Sequence, residues 1–349
     1  MSVTRDLETG RPILLVGSVP LESANDVFDA ASSFLGARMK RIPDGETGSR
    51  LMWILWQGGP MSKATGIEPA GSERLINGVP FQQYRIKRGQ AAEPISFGTL
   101  GYADAARRSY ADFLQKRADG RVKSTQRFQI CLPTPIAVTF AFMLRDETEV
   151  RPVWPVYEAA MLRELAQISA AIPAQDLAIQ WDIATELTTL LEKPDYTKSY
   201  PIGELVAAIA RVSNAVPEGA ELGLHFCYGD PNHKHVVEPP DTCRMVNLAN
   251  LLAVAIKRPI TWMHMPVPRD RDDDPYFAPL KELRMGPETE LFLGVIHLTD
   301  GLEGAKRRIA AARKVVKDFG VATECGFGRR NPETTMDLLR LHRQVAALD

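Results

Sequence analysis

Cysteine is scarce in this chain: Cys131, Cys227, Cys243 and Cys325 are the only four in 349 residues. So few thiols do not make a disulfide framework, and in a reducing compartment two of them are free to act as thiolates. An excess of either charge is also missing. The 42 basic and 43 acidic residues leave a net charge of −1, which offers no basic surface to nucleic acid or to an anionic membrane. No run of eighteen apolar residues occurs, and residues 1–6 have none of the apolar core of a signal peptide. A soluble, cytoplasmic protein is expected. No internal repeat or low-complexity tract appears. No G-x-G-x-x-G follows the first apolar run, so a dinucleotide fold has little support.

What is present suits a large folded core. The chain is 45% hydrophobic and 24% charged, enough for one large α/β barrel or two ordinary domains without disulfides. Short apolar runs suited to strands recur at 12–17, 39–42, 127–132, 177–182, 222–227, 260–265, 291–296 and 321–324. Helical patterns lie at 23–35, 103–116, 157–172 and 303–319. Ser23 and Asp26 have capping-box spacing. Asn331, Pro332 and Glu333 read as N-cap, N1 and first-turn acid of a last helix. Eight strands alternating with helices predict an α/β fold, a (β/α)8 TIM barrel that makes one domain of residues 1–349. An open doubly wound sheet is the rival. The stretch from about 60 to 125 is too long for a simple loop. With a hairpin around 81–87 and the helix 103–116, it reads as an insertion after strand 2, near the barrel mouth.

His225 and Cys227 are one residue apart, so on a strand both side chains face one point. Cys325 follows almost a hundred residues later. Zinc favours imidazole and sulfur. A small structural zinc module closes with a second short pair, whereas a distant third ligand is the habit of catalytic sites in large folds. Barrel enzymes place catalytic groups at strand C-terminal ends, and Ser18, Glu46, Asp182, His225, Cys227, His264 and Cys325 all fall there. The plainer readings are an inert core Cys227, a satisfied core His264, a capping Asp182, a Glu46 paired with Arg50 and a turn-shaping Ser18. The run His233, Lys234, His235 reads as a solvated loop and 269–274 as a surface loop beside the mouth. Arg329 and Arg330 fall on the active face. Cys131 and Cys243 read as structural.

The motifs are Gly17-Ser18-Val19-Pro20, Gly45-Glu46, Asp182 after Gln180-Trp181, His225-Phe226-Cys227-Tyr228 and Glu324-Cys325-Gly326-Phe327. In this order they resemble the catalytic C-terminal barrel of cobalamin-independent methionine synthase, in the superfamily shared with uroporphyrinogen decarboxylase. The resemblance implies zinc held by His225, Cys227 and Cys325, activating a small thiol as thiolate for attack on a methyl group. It also implies that Ser18, Glu46 and Asp182 hold the polar head of an amino-acid thiol. The family's fourth zinc ligand, a Glu on strand six, is absent; His264 stands there and is the expected replacement. The family's second acid after strand four is absent too. Its proton-donating His after strand seven falls near Thr299, with His297 and Asp300 as the nearby catalytic candidates. Phe140 lies in the region of the folate-stacking Trp, which leaves the folate methyl donor open. The implied activity is a zinc-dependent thiol methyl- or alkyltransferase acting on small molecules. The rivals are alkyl transfer from a non-folate electrophile such as an epoxide, a metal-free decarboxylase-like lyase, and a non-catalytic thiol- or zinc-binding barrel.

Overall fold

The computed structural model describes residues 10–76, 78–89, 93–229 and 235–348; His233 and Lys234 lie outside them. Its strands are β1 (Arg41–Pro43), β2 (Ile67–Ile76), β3 (Val79–Ile86), β4 (Arg127–Pro133), β5 (Leu177–Ile183), β6 (Glu221–Phe226), β7 (Trp262–Pro266), β8 (Glu290–Ile296) and β9 (Gly320–Thr323). Seven of them form one parallel sheet in the order β1-β4-β5-β6-β7-β8-β9. Strands β5 and β7 are buried at every residue, as expected of a parallel sheet covered on both faces.

The sheet is curled. Arg41 on β1 hydrogen-bonds Glu221 on β6 and, at 2.8 Å, Glu290 on β8. Strands spaced about 4.8 Å apart would put β6 roughly 14 Å from β1 in a flat sheet, and β8 roughly 24 Å away. No arginine spans that, so the far strands must come round to meet β1. The guanidinium lies 4.5 Å over the ring of Trp262, and Arg41 is only 2% exposed. Inside the curl, Leu14, Val16, Ala178, Trp262, Phe292 and Ala322 form a small core of their own. The larger core joins the outer face of the sheet to the helices.

The first expected strand is reduced to a bridge. Ile13 pairs with Val321 alone. Val321 N–H donates to the Pro12 carbonyl at 2.9 Å, and Ile13 N–H donates to the Arg38 carbonyl at 2.9 Å. The segment therefore sits between β9 and the approach to β1. Its next carbonyls take partners from inside the curl: Gln129 Nε2 donates to Leu15 O at 3.0 Å, Gln180 Nε2 to Val16 O at 2.7 Å and Cys131 Sγ to Val16 O at 3.1 Å. Buried backbone acceptors need partners, and inward polar side chains supply what a ladder would have. The curled sheet thus holds seven of the eight expected strands.

The main helices are α1 (Ala24–Leu35), α2 (Tyr102–Ala118), α3 (Pro135–Phe142), α4 (Glu147–Ala171), α5 (Ile202–Asn214), α6 (Cys243–Ala255), α7 (Gly301–Arg313) and α8 (Thr335–Ala346). Ser23 caps α1 as its spacing predicts, its Oγ accepting from Asp26 N–H at 3.3 Å and donating to Asp26 Oδ2 at 2.6 Å. Helix α4 starts earlier than its pattern suggests, because Asp146 caps it and Pro152 and Pro155 lie inside it. Proline ordinarily ends a helix, which is why the sequence pattern begins only at 157. Within the predicted insertion, β2 and β3 pair as an antiparallel hairpin. The hairpin leans on the chain between α3 and α4, with Leu144 N–H donating to Tyr84 O at 2.8 Å. Ile86 N–H donates to Glu149 Oε2 at 2.6 Å. The expected helix 103–116 is α2, which packs on α1 among the helices flanking the sheet. Among the described residues no helix is long and apolar enough to cross a membrane.

Gly223 on β6 makes room for Trp262: a Cβ there would lie 1.9 Å from Trp262 Cε2. Gly223→Ala is expected to cost about 1–3 kcal/mol through overpacking, read as a lower urea midpoint. An unchanged midpoint would show that Trp262 does not fill the curl in this way.

Candidate metal centre

Register brings the inward-facing site residues to one level. Asp182 pairs with His225, and His225 pairs with His264. Cys227 follows the end of β6 and Cys325 the end of β9. The ligand atoms of His225, Cys227 and Cys325 lie within 4.8 Å of one another, and the two sulfurs are 3.9 Å apart. The three donors chosen from spacing therefore do converge.

His264 is not brought into this group. Its Nδ1 lies 2.7 Å from His225 Nδ1 and its Nε2 lies 3.0 Å from the Thr323 carbonyl. The carbonyl only accepts, so Nε2 of His264 carries the proton and its Nδ1 accepts from His225 Nδ1–H. Burial, with His225 close by, holds His264 well below the ordinary imidazole range, which keeps it neutral. With Nδ1 committed to His264, His225 presents Nε2 to the two sulfurs. His264 differs from its expected role as a fourth ligand: it stands behind a candidate ligand and sets that ligand's tautomer and ring orientation.

The two thiols share a proton. The hydrogen bond from Cys227 holds Cys325 well below the ordinary thiol range, against burial, and the Arg329 charge adds to it. The same bond, together with burial, pushes Cys227 well above that range. Arg329 Nη2 donates to Cys325 Sγ at 3.1 Å and Gly229 N–H donates to Cys227 Sγ at 3.3 Å. Cys325 is thus the more acidic thiol of the pair. Ser18 shapes the turn that carries it. Phe327 N–H donates to Ser18 O at 2.6 Å and Gly328 N–H to Ser18 Oγ at 3.1 Å. A Cβ on Gly326 would lie 2.3 Å from Ser18 Oγ, so this turn needs glycine where it crosses Ser18.

Two acids face the same space. Burial pushes Asp182 up to about 6, opposed by the His225 charge and by hydrogen bonds from Gln180 and Trp53. Burial and the neighbouring Asp182 push Glu46 well above the carboxylate range. Glu46 does not pair with Arg50, which bonds Asp44 at 2.7 Å. Glu46 and Trp53 both adopt positive φ, +47° and +54°, strained for side chains of their size. Trp53 is a site residue that no sequence pattern marked.

His235 was also missed. It is no solvated loop residue: its side chain is 9% exposed, with Nε2 2.8 Å from Glu324 Oε1 and Nδ1 3.2 Å from Glu238 Oε2. Burial lowers its basicity, but Glu324 and Glu238 outweigh burial and raise it to about 9. His297 places Nδ1 3.3 Å from Glu324 Oε2 and Nε2 2.8 Å from Val267 O. Burial and the Arg308 charge push it down to about 3, so it is neutral at physiological pH. Asp300 is occupied elsewhere: Arg308 bonds its two oxygens at 2.7 and 2.9 Å and keeps it ionised despite burial. Phe140 is buried, with its ring 5.0 Å from that of Tyr196 and 6.1 Å from that of Tyr200. It presents no open stacking face. Cys131 is buried as expected, whereas Cys243 is exposed at the start of α6. Arg271, from the loop after β7, donates to the carbonyls of Pro239 and Pro240 after β6.

No protein-family model matches the chain, and no curated protein matches it. Solved structures do. A B12-independent methionine synthase from Shewanella sp. W3-18-1, in complex with selenomethionine, superposes with a TM-score of 0.60 at 15% identity, over 97% of this chain and 97% of that one. A putative vitamin-B12-independent methionine synthase from Listeria monocytogenes gives a TM-score of 0.53 at 15% identity, over 93% of this chain and 86% of that one. At that identity the likeness is one of fold, and it spans nearly the whole chain.

Proposed function

We propose that this chain is a zinc-dependent transferase that methylates or alkylates a small thiol, with His225, Cys227 and Cys325 as the zinc ligands. The convergence of three soft donors from the ends of β6 and β9 carries this reading. Imidazole and thiolates suit zinc, and three protein ligands with one exchangeable position define its catalytic sites. Bound there, zinc supplies a position where a substrate thiol is held as thiolate at neutral pH. In this reading the fold is an eight-stranded barrel whose first strand has shrunk to a bridge.

The chain's own residues do the rest. His264 holds the ring of His225. Asp182 and Glu46, on the floor of the mouth, bind the ammonium of an amino-acid thiol, and Ser18 frames the turn beside it. His297 is too weakly basic to store a proton for a leaving group. The buried Phe140 favours an alkyl donor other than folate, such as a small strained electrophile.

Purified wild-type protein should contain about one zinc per chain by plasma mass spectrometry. Cys325→Ala should lose it, whereas His264→Leu should keep it with weaker binding. Wild-type protein that neither carries nor takes up zinc would overturn the reading; loss in His264→Leu as complete as in Cys325→Ala would make His264 a ligand after all. Adding an amino-acid thiol such as homocysteine should add one sulfur scatterer to the zinc X-ray absorption spectrum. Asp182→Asn should weaken that binding by about 10- to 100-fold, the worth of a hydrogen bond to a charged group. Equal thiol binding by this variant would remove Asp182 from the substrate site.

A further inference from the structure

A second group of side chains lies alongside the three donors. Glu324 immediately precedes Cys325, and His235 and His297 contact its two oxygens at 2.8 and 3.3 Å. His297 Nε2 donates to the Val267 carbonyl at 2.8 Å, so the Nδ1 of its neutral ring packs beside Glu324 without an N–H to give it. Val267 follows β7, His297 follows β8 and Glu324 follows β9. His235 belongs to the chain after β6, fixed there by Val236 N–H donating to Tyr228 O at 2.9 Å and by the Tyr228 ring 5.8 Å away. A short belt of side chains, His235, Glu324 and His297, therefore runs along the strand ends, and within it the His235–Glu324 contact joins the chain after β6 to the turn after β9, the segments that carry Cys227 and Cys325.

That geometry answers a mechanical need. Strands β6 and β9 are not neighbours in the sheet, so no ladder hydrogen bond sets the distance between the turns that follow them. The two thiols nevertheless sit 3.9 Å apart and face one imidazole. The belt is also nearly dry: the side chains of His235, His297 and Glu324 are 9%, 6% and 18% exposed. Burying a carboxylate is costly unless it is closely paired, and His235 is its partner. A belt that only decorated the rim would sit in water.

We propose that Glu324 is a positioning residue which, through His235, holds the Cys227 and Cys325 turns at the separation a metal requires before any metal arrives. The inference rests on the zinc reading above and adds to it a residue that binds neither metal nor substrate. Outer partners of this kind are worth about 10- to 100-fold in metal affinity.

The test is zinc affinity, measured by competition with a chromogenic chelator, alongside the visible spectrum of the cobalt(II)-loaded protein. Glu324→Ala should bind zinc about 10- to 100-fold more weakly and shift the cobalt bands. Glu324→Gln should recover most of both, because the amide oxygen accepts from His235 while the amide N–H donates to His297. The thermal midpoint of each metal-free variant shows whether it folds; should Glu324→Ala fail to fold, His235→Leu reads the same loss. Wild-type affinity in Glu324→Ala, with zinc still lost in Cys325→Ala, would overturn the positioning role and leave the zinc site standing. A Glu324→Gln variant as weak as Glu324→Ala would overturn it too, by making charge rather than placement the cause. Wild-type protein that binds no zinc would overturn both proposals together.

Discussion

Parallel pairing of β5, β6 and β7 sets Asp182, His225 and His264 side by side on the inner face of the sheet. Side chains alternate along a strand, so a slip of one residue would turn any of the three out toward the helices. The pairing is protected at the opposite end of the strands. Arg41 joins β1 to Glu221 and Glu290 at the first residues of β6 and β8, and Trp262 fills the space that Gly223 leaves open. Strand order, curl and site level are thus one arrangement.

Around the cluster, burial decides which groups carry charge. His264 and His297 are kept neutral by it, while His235 stays protonated because two carboxylates outweigh it. One sulfur of the pair is made more acidic and the other less. Asp182 and Glu46 hold their protons more tightly than exposed carboxylates do. A cationic ligand entering this space would favour the ionised form of both acids, beside the more acidic of the two sulfurs.

Much of this was legible in the sequence. Seven strand positions could be read from apolar runs because a strand buried on both faces leaves an uninterrupted apolar run. The donor trio could be read because one residue between His225 and Cys227 fixes their common face. The rest depended on contacts between distant parts of the chain. The segment 12–17 has a strand's composition, yet its carbonyls are taken by Gln129, Gln180 and Cys131, which no local pattern reveals. Helix α4 runs through two prolines. His264 has a ligand's chemistry, and only its two hydrogen bonds show it facing a histidine and a carbonyl. His235 was hidden by the opposite error: a polar run looks solvated until Glu324, ninety residues on, is seen against it.

The stopper formed by Arg41 and Trp262 has a kinetic meaning. With the far end of the curl filled, the three donors open toward the C-terminal ends of the strands, where Trp53 meets Asp182. A vessel closed at its base makes its visitors queue. Two molecules that must meet at the donors would arrive in a set order, the deeper-seated one first, and the last to enter would be the first able to leave.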